Sequence, residues 1–239
     1  MNYDKYVERL TEACKKKELT LKTIGSHSGF DIKMFKVNPD AKKRICLIGG
    51  IHGDETGGPH GIVYWLENHK LPTNRGLDVL PLVNPYGYTH NQRYNKDYDM
   101  NRQWTTIDNL KGENKIVYEA IKDGEYELMF TVHEDPEQED GFYLYTCERN
   151  RVVLWKKCVE LAKKYFKIYD KDMVWGDPIV DGIGWHDSLQ KNKDSKCIEN
   201  WFYEHRNVPY LTTEPSDVYS LKEREQFFAE LIDLICKEY

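Results

Sequence analysis

The most constraining feature of the sequence is an apolar run that stops at two glycines and is followed at once by polar residues. The run at residues 45–48 precedes Gly49-Gly50, and His52 and Glu55 follow three residues apart. A short, β-branched run bounded by glycine is typical of a buried strand. A histidine and a carboxylate at the end of such a strand are candidate metal ligands, although the same spacing also occurs on ordinary exposed surfaces.

Three later apolar runs are also followed directly by polar residues that could serve in a site. The runs at residues 77–83, 127–132 and 208–213 are followed by Asn84, His133 and Glu214. Amphipathic patterns predict helices between and around these runs, at residues 4–17, 57–69, 112–121, 152–166 and 221–239. Two alternating runs, 19–24 and 32–37, predict an antiparallel pair at a sheet edge. The stretch 168–206, rich in glycine and tryptophan, shows no clear period.

Apolar strands that alternate with helices predict an α/β fold. We expect one domain over residues 1–239, with a mixed, mainly parallel central sheet flanked by helices and no internal repeat. In such sheets, ligands bind outside the carboxyl ends of the strands. The polar residues that follow the four runs are therefore predicted to meet at one edge.

Composition excludes several classes of protein. The net charge is −6, and the basic residues are dispersed, so a nucleic-acid partner is not expected. No apolar run approaches the ~20 residues of a membrane span, and charged residues occupy the N-terminus where a signal peptide needs an apolar core. The six cysteines are scattered without a Cys-x-x-Cys pair. We expect a cytoplasmic protein with reduced thiols and no membrane partner.

The three candidate ligands have a recognisable chemistry. Two histidines and one carboxylate form the protein ligand set of a catalytic zinc, which leaves a position for water. His52 and Glu55 can reach one ion because residues three apart on a helical turn face the same way. His133, at the end of a neighbouring predicted strand, would complete the site for one Zn²⁺ ion. A structural histidine is the alternative for His133 considered singly.

A zinc hydrolase also needs a group that accepts a proton, and Glu214 is the candidate. A helix N-terminus beyond it would be an alternative reason for acidic residues there. Glu134 and Asp135, beside His133, are interpreted as support for that ligand. The polar segment 84–104 contains two arginines. A guanidinium there can stabilise an oxyanion or hold a substrate carboxylate, although surface arginines usually do neither.

Taken together, these motifs resemble those of the M14-type zinc metallocarboxypeptidases and of their deacylase relatives, succinylglutamate desuccinylase and aspartoacylase. The similarity runs in order from about residue 44 to 217. The motifs that match are His52-Gly53-Asp54-Glu55, Asn84-Pro85-x-Gly87, Arg93, Asp99-x-Asn101-Arg102-x-Trp104, His133 and Glu214. The resemblance implies a zinc carboxypeptidase-like catalytic domain. It also implies that His52, Glu55 and His133 bind zinc and that Asp99 orients His52.

The resemblance further implies the remaining roles. Arg93 would polarise the scissile carbonyl, while Asn101 and Arg102 would hold the terminal carboxylate of the substrate. Glu214 would act as general base on a zinc-bound water and later protonate the leaving amine. The leading expectation is a metallocarboxypeptidase-like hydrolase that cleaves an amide bond next to a free carboxylate in short or modified peptides.

Two other functions remain open at this stage. An N-acyl amino acid deacylase would use the same machinery on a small substrate. A non-catalytic zinc-binding module would be expected to lack the base or an arginine, whereas Glu214, Arg93 and Arg102 are all present. Nucleotide binding at Gly49-Gly50 is disfavoured, because the nearby acidic residues would repel a phosphate. The oligomeric state and the leaving amino acid are left open.

Overall fold

The structure is a computed structural model that describes residues 1–136, 140–186 and 196–239. Part of the unassigned stretch 168–206, at residues 187–195, lies outside the described residues. The α-helices are α1 (Tyr3–Lys16), α2 (Gly57–Asn68), α3 (Pro85–His90), α4 (Gly112–Ile121), α5 (Val152–Ala162), α6 (Ile198–Arg206) and α7 (Leu221–Glu238). The strands are β1 (Lys22–His27), β2 (Phe30–Val37), β3 (Arg44–Gly49), β4 (Gly76–Leu80), β5 (Leu128–Val132), β6 (Phe142–Thr146), β7 (Met173–Val174), β8 (Asp177–Val180), β9 (Ile183–Trp185) and β10 (Tyr210–Pro215).

The strands of the described residues form one mixed sheet in the order β1-β2-β4-β3-β5-β10-β6-β9-β8-β7. Its centre, β4-β3-β5-β10, is parallel throughout. Antiparallel strands flank this centre, with β2 pairing β4 on one side and β6 pairing β10 on the other. The predicted fold class, a mixed α/β domain with a mainly parallel central sheet flanked by helices, is confirmed.

Both faces of the central strands are covered, as their continuous apolar sequences require. In β3, Ile45 and Leu47 pack into a cluster with residues of α1, α2, α5 and α7. Cys46 and Ile48 point to the opposite face and pack with residues of α4 and α6. This period of two places the helices in two layers and leaves the carboxyl ends of the parallel strands free to carry polar groups.

The central strand β3 is also the point where the strand order changes direction. The next strand in the chain, β4, lies on one side of β3, and the following one, β5, lies on the other. In parallel sheets, such a switch leaves a crevice between the two diverging connections. The loops after β3, β4 and β5 therefore border the same crevice.

Most predicted elements are present. Two stretches for which no helix or strand was predicted contain regular secondary structure. The polar segment 84–104 contains α3 and a short 3₁₀ helix at Met100–Arg102. The unassigned stretch 168–206 contains the hairpin strands β7 to β9 and the helix α6. Among the described residues, we found no helix both long enough and apolar enough to span a bilayer. The six cysteines, all of them among the described residues, form no disulfide bond.

Candidate metal centre

The sheet delivers the predicted site residues to one edge. His52 and Glu55 lie on the connection between β3 and α2, and His133 follows the last residue of β5. Glu214 is the penultimate residue of β10, whose neighbour β5 runs parallel to it. All four side chains line one cavity. The sequence-based prediction that they meet at the carboxyl ends of the strands is therefore matched by the structure.

Two imidazoles face one carboxylate at the centre of this cavity. Nδ1 of His52 lies 2.5 Å from Oε1 of Glu55, and Nδ1 of His133 lies 2.7 Å from Oε2 of the same carboxylate. One ligand atom from each residue lies within 4.8 Å of the other two, and all three side chains are buried. The donor set and its convergence fit a divalent metal ion, and two nitrogens with one carboxylate are typical ligands of catalytic zinc.

Electrostatics at this cluster favour a bound cation. Burial opposes the ionisation of Glu55, but the imidazoles of His52 and His133 outweigh this effect and hold the pKa of the carboxyl below its usual range. Burial also opposes protonation of His133, but Glu55 outweighs it and raises the pKa of that imidazole. The ionised form of Glu55, which a metal ligand requires, is therefore favoured.

The loop that bears the ligands is held by close backbone contact with the loop after β4. A Cβ atom on Gly53 would lie only 2.0 Å from the carbonyl carbon of Gly87, so neither glycine can be replaced without displacing a loop. Nδ2 of Asn84 donates to the carbonyl oxygens of Ile51 and Arg93, at 3.2 and 3.1 Å. The Asn-Pro-x-Gly motif therefore fixes the position of the ligand loop and of Arg93.

Asp99 connects His52 to Arg93. Oδ1 of Asp99 lies 3.3 Å from Nε2 of His52, and Oδ2 accepts a 3.1 Å hydrogen bond from Nε of Arg93. Burial opposes ionisation, but His52 and Arg93 together lower the pKa of Asp99. Nη1 of Arg93 also lies 3.6 Å from Oε1 of Glu55. This arrangement holds the guanidinium beside the cluster, facing the cavity.

The two residues predicted to bind a substrate carboxylate occupy different environments. Asn101 is buried: its Oδ1 accepts from the backbone N–H of Ile198 at 3.0 Å, and its Nδ2 donates to Oε2 of Glu199 at 3.2 Å. Arg102 is exposed at the rim, where its Nη1 donates to the carbonyl oxygen of Asn101. Both line the cavity, but Arg102 is the one whose charge is open to an incoming ligand.

Glu214 faces the cavity from β10. Burial raises its pKa well above the usual range, and the neighbouring carboxylates Glu55 and Asp135 add to this effect, while His133 and Arg93 oppose it. A divalent cation bound at the three ligands would lower this pKa again, because an opposite charge nearby favours the ionised form. A carboxylate with such a shifted pKa is suited to proton transfer.

The carboxylates beside His133 have structural partners. Glu134 accepts hydrogen bonds from Nη1 of Arg224 at 2.7 Å and from the backbone N–H of Gly57 at 2.9 Å. The support that residue 134 gives to a ligand comes from its main chain, since its N–H donates to Oε2 of Glu55 at 3.1 Å. Asp135 accepts from the Tyr143 hydroxyl. The side chain of Glu134 therefore ties α2 and α7 to the end of β5.

Sequence reasoning missed a second group of cavity residues. Glu199, on α6, is buried with its Oε1 3.3 Å from Nε2 of His133. His186 follows β9, and its Nδ1 lies 2.5 Å from the Tyr210 hydroxyl, while its Nε2 lies 3.5 Å from Asp177. One signal in the sequence could have indicated Glu199. It lies between Ile198 and the apolar residues Trp201 and Phe202, whose spacing is that of a buried helix face.

The cavity has a volume of about 470 Å³, which is a usual size for a small-molecule site. Its lining is unevenly charged among the described residues. Seven carboxylates line it, from Glu55, Asp99, Glu134, Asp135, Asp177, Glu199 and Glu214. The guanidinium groups in the described lining are those of Arg93 and Arg102. Because Arg93 is already paired with Asp99, Arg102 is the guanidinium of the described lining that an anionic ligand can reach.

Comparison with known protein families covers the ligand-bearing part of the chain. Residues 41–138 match the family described as the succinylglutamate desuccinylase/aspartoacylase catalytic domain. Aspartoacylase of Mus musculus is 32% identical over 107 residues, which is 38% of this chain and 34% of that protein. Aspartoacylase of Rattus norvegicus is 32% identical over 104 residues, which is 42% of this chain and 31% of that protein. The match spans about a third of the length of these relatives.

Comparison with solved structures covers nearly the whole chain. A protein described as a candidate metallopeptidase, from Shewanella amazonensis, superposes with a TM-score of 0.86 at 20% identity, over 98% of this chain and 91% of that one. A metallo-carboxypeptidase from Burkholderia cenocepacia gives a TM-score of 0.74 at 12% identity, over 99% of this chain and 69% of that one. At these identities the similarity shows a shared fold.

The family match and the shared fold agree with the motifs. The matched segment 41–138 contains the three candidate ligands and the arginine loop, whereas Glu214 lies beyond it. The predicted resemblance is thus confirmed: this chain shares its fold with solved structures described as metallopeptidases and metallo-carboxypeptidases, and its ligand-bearing segment is similar to the catalytic domain of succinylglutamate desuccinylase and aspartoacylase.

Proposed function

We propose that this protein is a zinc-dependent hydrolase that cleaves an amide bond next to a free carboxylate. The observation that carries the proposal is the convergence of His52, Glu55 and His133 on one point of a cavity that Arg93 and Glu214 also line. The three side chains would hold one zinc ion. There the metal would supply Lewis-acid polarisation of a carbonyl and lower the pKa of a water toward ~7.

The side chains around that position provide proton transfer, stabilisation of the oxyanion and binding of the substrate carboxylate. Glu214 takes up the proton of the attacking water and returns it to the leaving amine, because a carboxylate within the cavity can exchange a proton at both stages. The guanidinium of Arg93, held in place by Asp99, stabilises the negative charge that develops on the carbonyl oxygen. Arg102, exposed at the rim, binds the substrate carboxylate, and its Nη1 also donates to the backbone carbonyl oxygen of Asn101.

The charge of the cavity restricts the leaving amino acid. The guanidinium of Arg102 can satisfy one carboxylate of the substrate, and the described lining offers no second unpaired guanidinium for another. We therefore propose a metallocarboxypeptidase-like activity on short or modified peptides whose C-terminal side chain is neutral or basic. The near-complete structural overlap with a candidate metallopeptidase supports this branch.

A second candidate function is N-acyl amino acid deacylation. The specific observation in its favour is the sequence match of residues 41–138 to the succinylglutamate desuccinylase/aspartoacylase catalytic domain and to mammalian aspartoacylases. The catalytic groups would be the same, and only the acyl side of the substrate would differ. An N-acyl aspartate would nevertheless carry two carboxylates into the cavity described above.

A substrate panel assayed with the zinc-loaded protein tests the proposal. The panel contains C-terminal dipeptides and N-acyl amino acids, each with leaving lysine, phenylalanine and aspartate, so that acyl group and charge vary separately. We expect hydrolysis that a chelator abolishes and zinc restores, with dipeptides favoured and leaving aspartate slowest. A preference for N-acyl aspartate would select the deacylase branch. No hydrolysis of any substrate by the zinc-loaded protein would favour the non-catalytic module.

A further inference from the structure

We infer that Glu199 is a positioning residue that fixes the imidazole of His133 with Nδ1 directed at the metal position; this inference rests on the proposed function. Glu199 is 3% exposed and His133 is 2% exposed. Oε1 of Glu199 and Nε2 of His133 face each other at 3.3 Å, and neither atom forms a well-shaped hydrogen bond elsewhere among the described residues. Nε2 of His133 therefore faces the carboxylate of Glu199.

The contact repeats the arrangement at the other histidine. His52 directs Nδ1 at Glu55 and Nε2 at Oδ1 of Asp99, also at 3.3 Å. His133 directs Nδ1 at the same Glu55 and Nε2 at Oε1 of Glu199. Each candidate ligand is thus held between the shared carboxylate on its inner side and a separate carboxylate on its outer side. A metal-ligating histidine typically donates its second N–H to such an outer acceptor, which fixes the ring orientation and raises its basicity.

Asn101 extends this support to the arginine loop. Its Nδ2 donates to Oε2 of Glu199, and its Oδ1 accepts from the N–H of Ile198 at the start of α6. The amide therefore holds the carboxylate from the side opposite His133 and anchors the helix that bears it. Asp99 and Asn101, two residues apart, support His52 and His133 respectively, the second through Glu199. One short segment thereby sets both imidazoles.

The expected consequence is on metal affinity. Loss of an outer-shell partner of this kind typically weakens metal binding by about 10–100-fold. Glutamine at position 199 keeps an oxygen that can accept from Nε2 of His133, but it loses the charge and places an amide N–H₂ against Asn101 or the imidazole. Alanine removes the acceptor altogether. We expect the order wild type, Glu199→Gln and Glu199→Ala in decreasing affinity.

The test is a zinc titration of the full chain in competition with a chromophoric chelator. We expect Glu199→Ala to bind zinc about 10–100-fold more weakly than the wild type and Glu199→Gln to recover part of the loss. In the zinc-loaded wild type, the Nε2 proton of His133 should give a slowly exchanging NMR signal, since it is buried against Glu199. That signal should be lost in Glu199→Ala while the backbone amide protons of β5 keep their slow exchange, a combination that a general loss of packing would not produce.

Glu113→Ala is the matched control. Glu113 is a buried glutamate that accepts from an asparagine amide, Nδ2 of Asn95 at 2.8 Å, but it faces neither candidate ligand histidine. Its removal should leave zinc affinity unchanged. If Glu199→Ala does not fold, Glu199→Gln decides the matter. Wild-type affinity in a folded Glu199 variant would overturn the inference and leave the proposed function standing, whereas a wild-type chain that takes up no zinc would overturn the proposed function itself.

Discussion

The segment 41–138 and the chain that follows it contribute to one cavity in different ways. The first segment supplies His52, Glu55 and His133, together with the arginine loop, and it matches a known family in sequence. The later chain supplies Glu214, Glu199 and further lining residues from β6, β8, β10 and α6. Its resemblance to known proteins lies in the fold over nearly the full length.

This difference indicates that the two segments contribute different parts of the proposed reaction. The three candidate ligands all lie in the first segment, where they follow two adjacent strands and where backbone contacts such as that of Gly53 with Gly87 hold the loops together. In the proposed function, proton transfer depends on Glu214 of the second segment, which faces the same cavity from β10, whereas Arg102 of the first segment binds the substrate carboxylate. Variants in the two segments should therefore have separable effects, which four predictions examine.

The largest effect is expected for a ligand of the first segment. His133→Ala removes one of three donors, so the protein should lose bound zinc and activity should fall to background. Elemental analysis of the purified variant measures the metal. Full zinc occupancy in His133→Ala would remove this residue from the ligand set.

The next effect is expected at the base of the second segment. Glu214→Gln should keep zinc at the wild-type level and lose turnover by about 10²–10⁴-fold, because the amide cannot accept the proton. Steady-state kinetics alongside metal analysis separates the two properties. Turnover near that of the wild type would show that another group acts as base.

Arg93 tests whether the first segment contributes more than the metal ligands. Arg93→Ala should reduce kcat by about 10²–10³-fold, the usual cost of losing one donor to the developing oxyanion. Zinc content should stay near one ion per chain. A change in KM alone would instead indicate that this guanidinium binds the ground state of the substrate.

The last prediction concerns stability, at the ion pair that joins the two segments. Arg224→Ala leaves the carboxylate of Glu134 buried without its charged partner, which costs about 3–5 kcal/mol of stability. Urea unfolding of the metal-free protein measures this loss. The double variant Glu134→Gln/Arg224→Met removes both charges and should recover most of it. Equal destabilisation in the single and double variants would show that packing, and not the charge, is responsible.

The ligand half of the site could be predicted because its information is local. The run 45–48, its glycines and the spacing of His52 and Glu55 lie within eleven residues, and the continuous burial of β3 agrees with its unbroken apolar run. His133 and Glu214 were placed correctly because a parallel sheet brings the ends of its strands together, wherever they occur in the chain.

The remaining cavity could not be predicted, for a physical reason. Strands β7 to β9 are two to four residues long, too short to show a period. Glu199 looks like an ordinary acidic residue in the first turn of a helix, and only the tertiary contact of α6 with β5 turns it toward His133. Asn101 likewise matched a substrate-binding motif, while its actual hydrogen bonds depend on α6.

The most direct test of the account is the zinc content of the purified protein, measured together with amide hydrolysis before and after chelation. The account predicts about one zinc ion per chain, from the single three-ligand cluster, with hydrolysis that disappears on chelation and returns with added zinc. Undiminished hydrolysis by protein shown to be free of metal would contradict it.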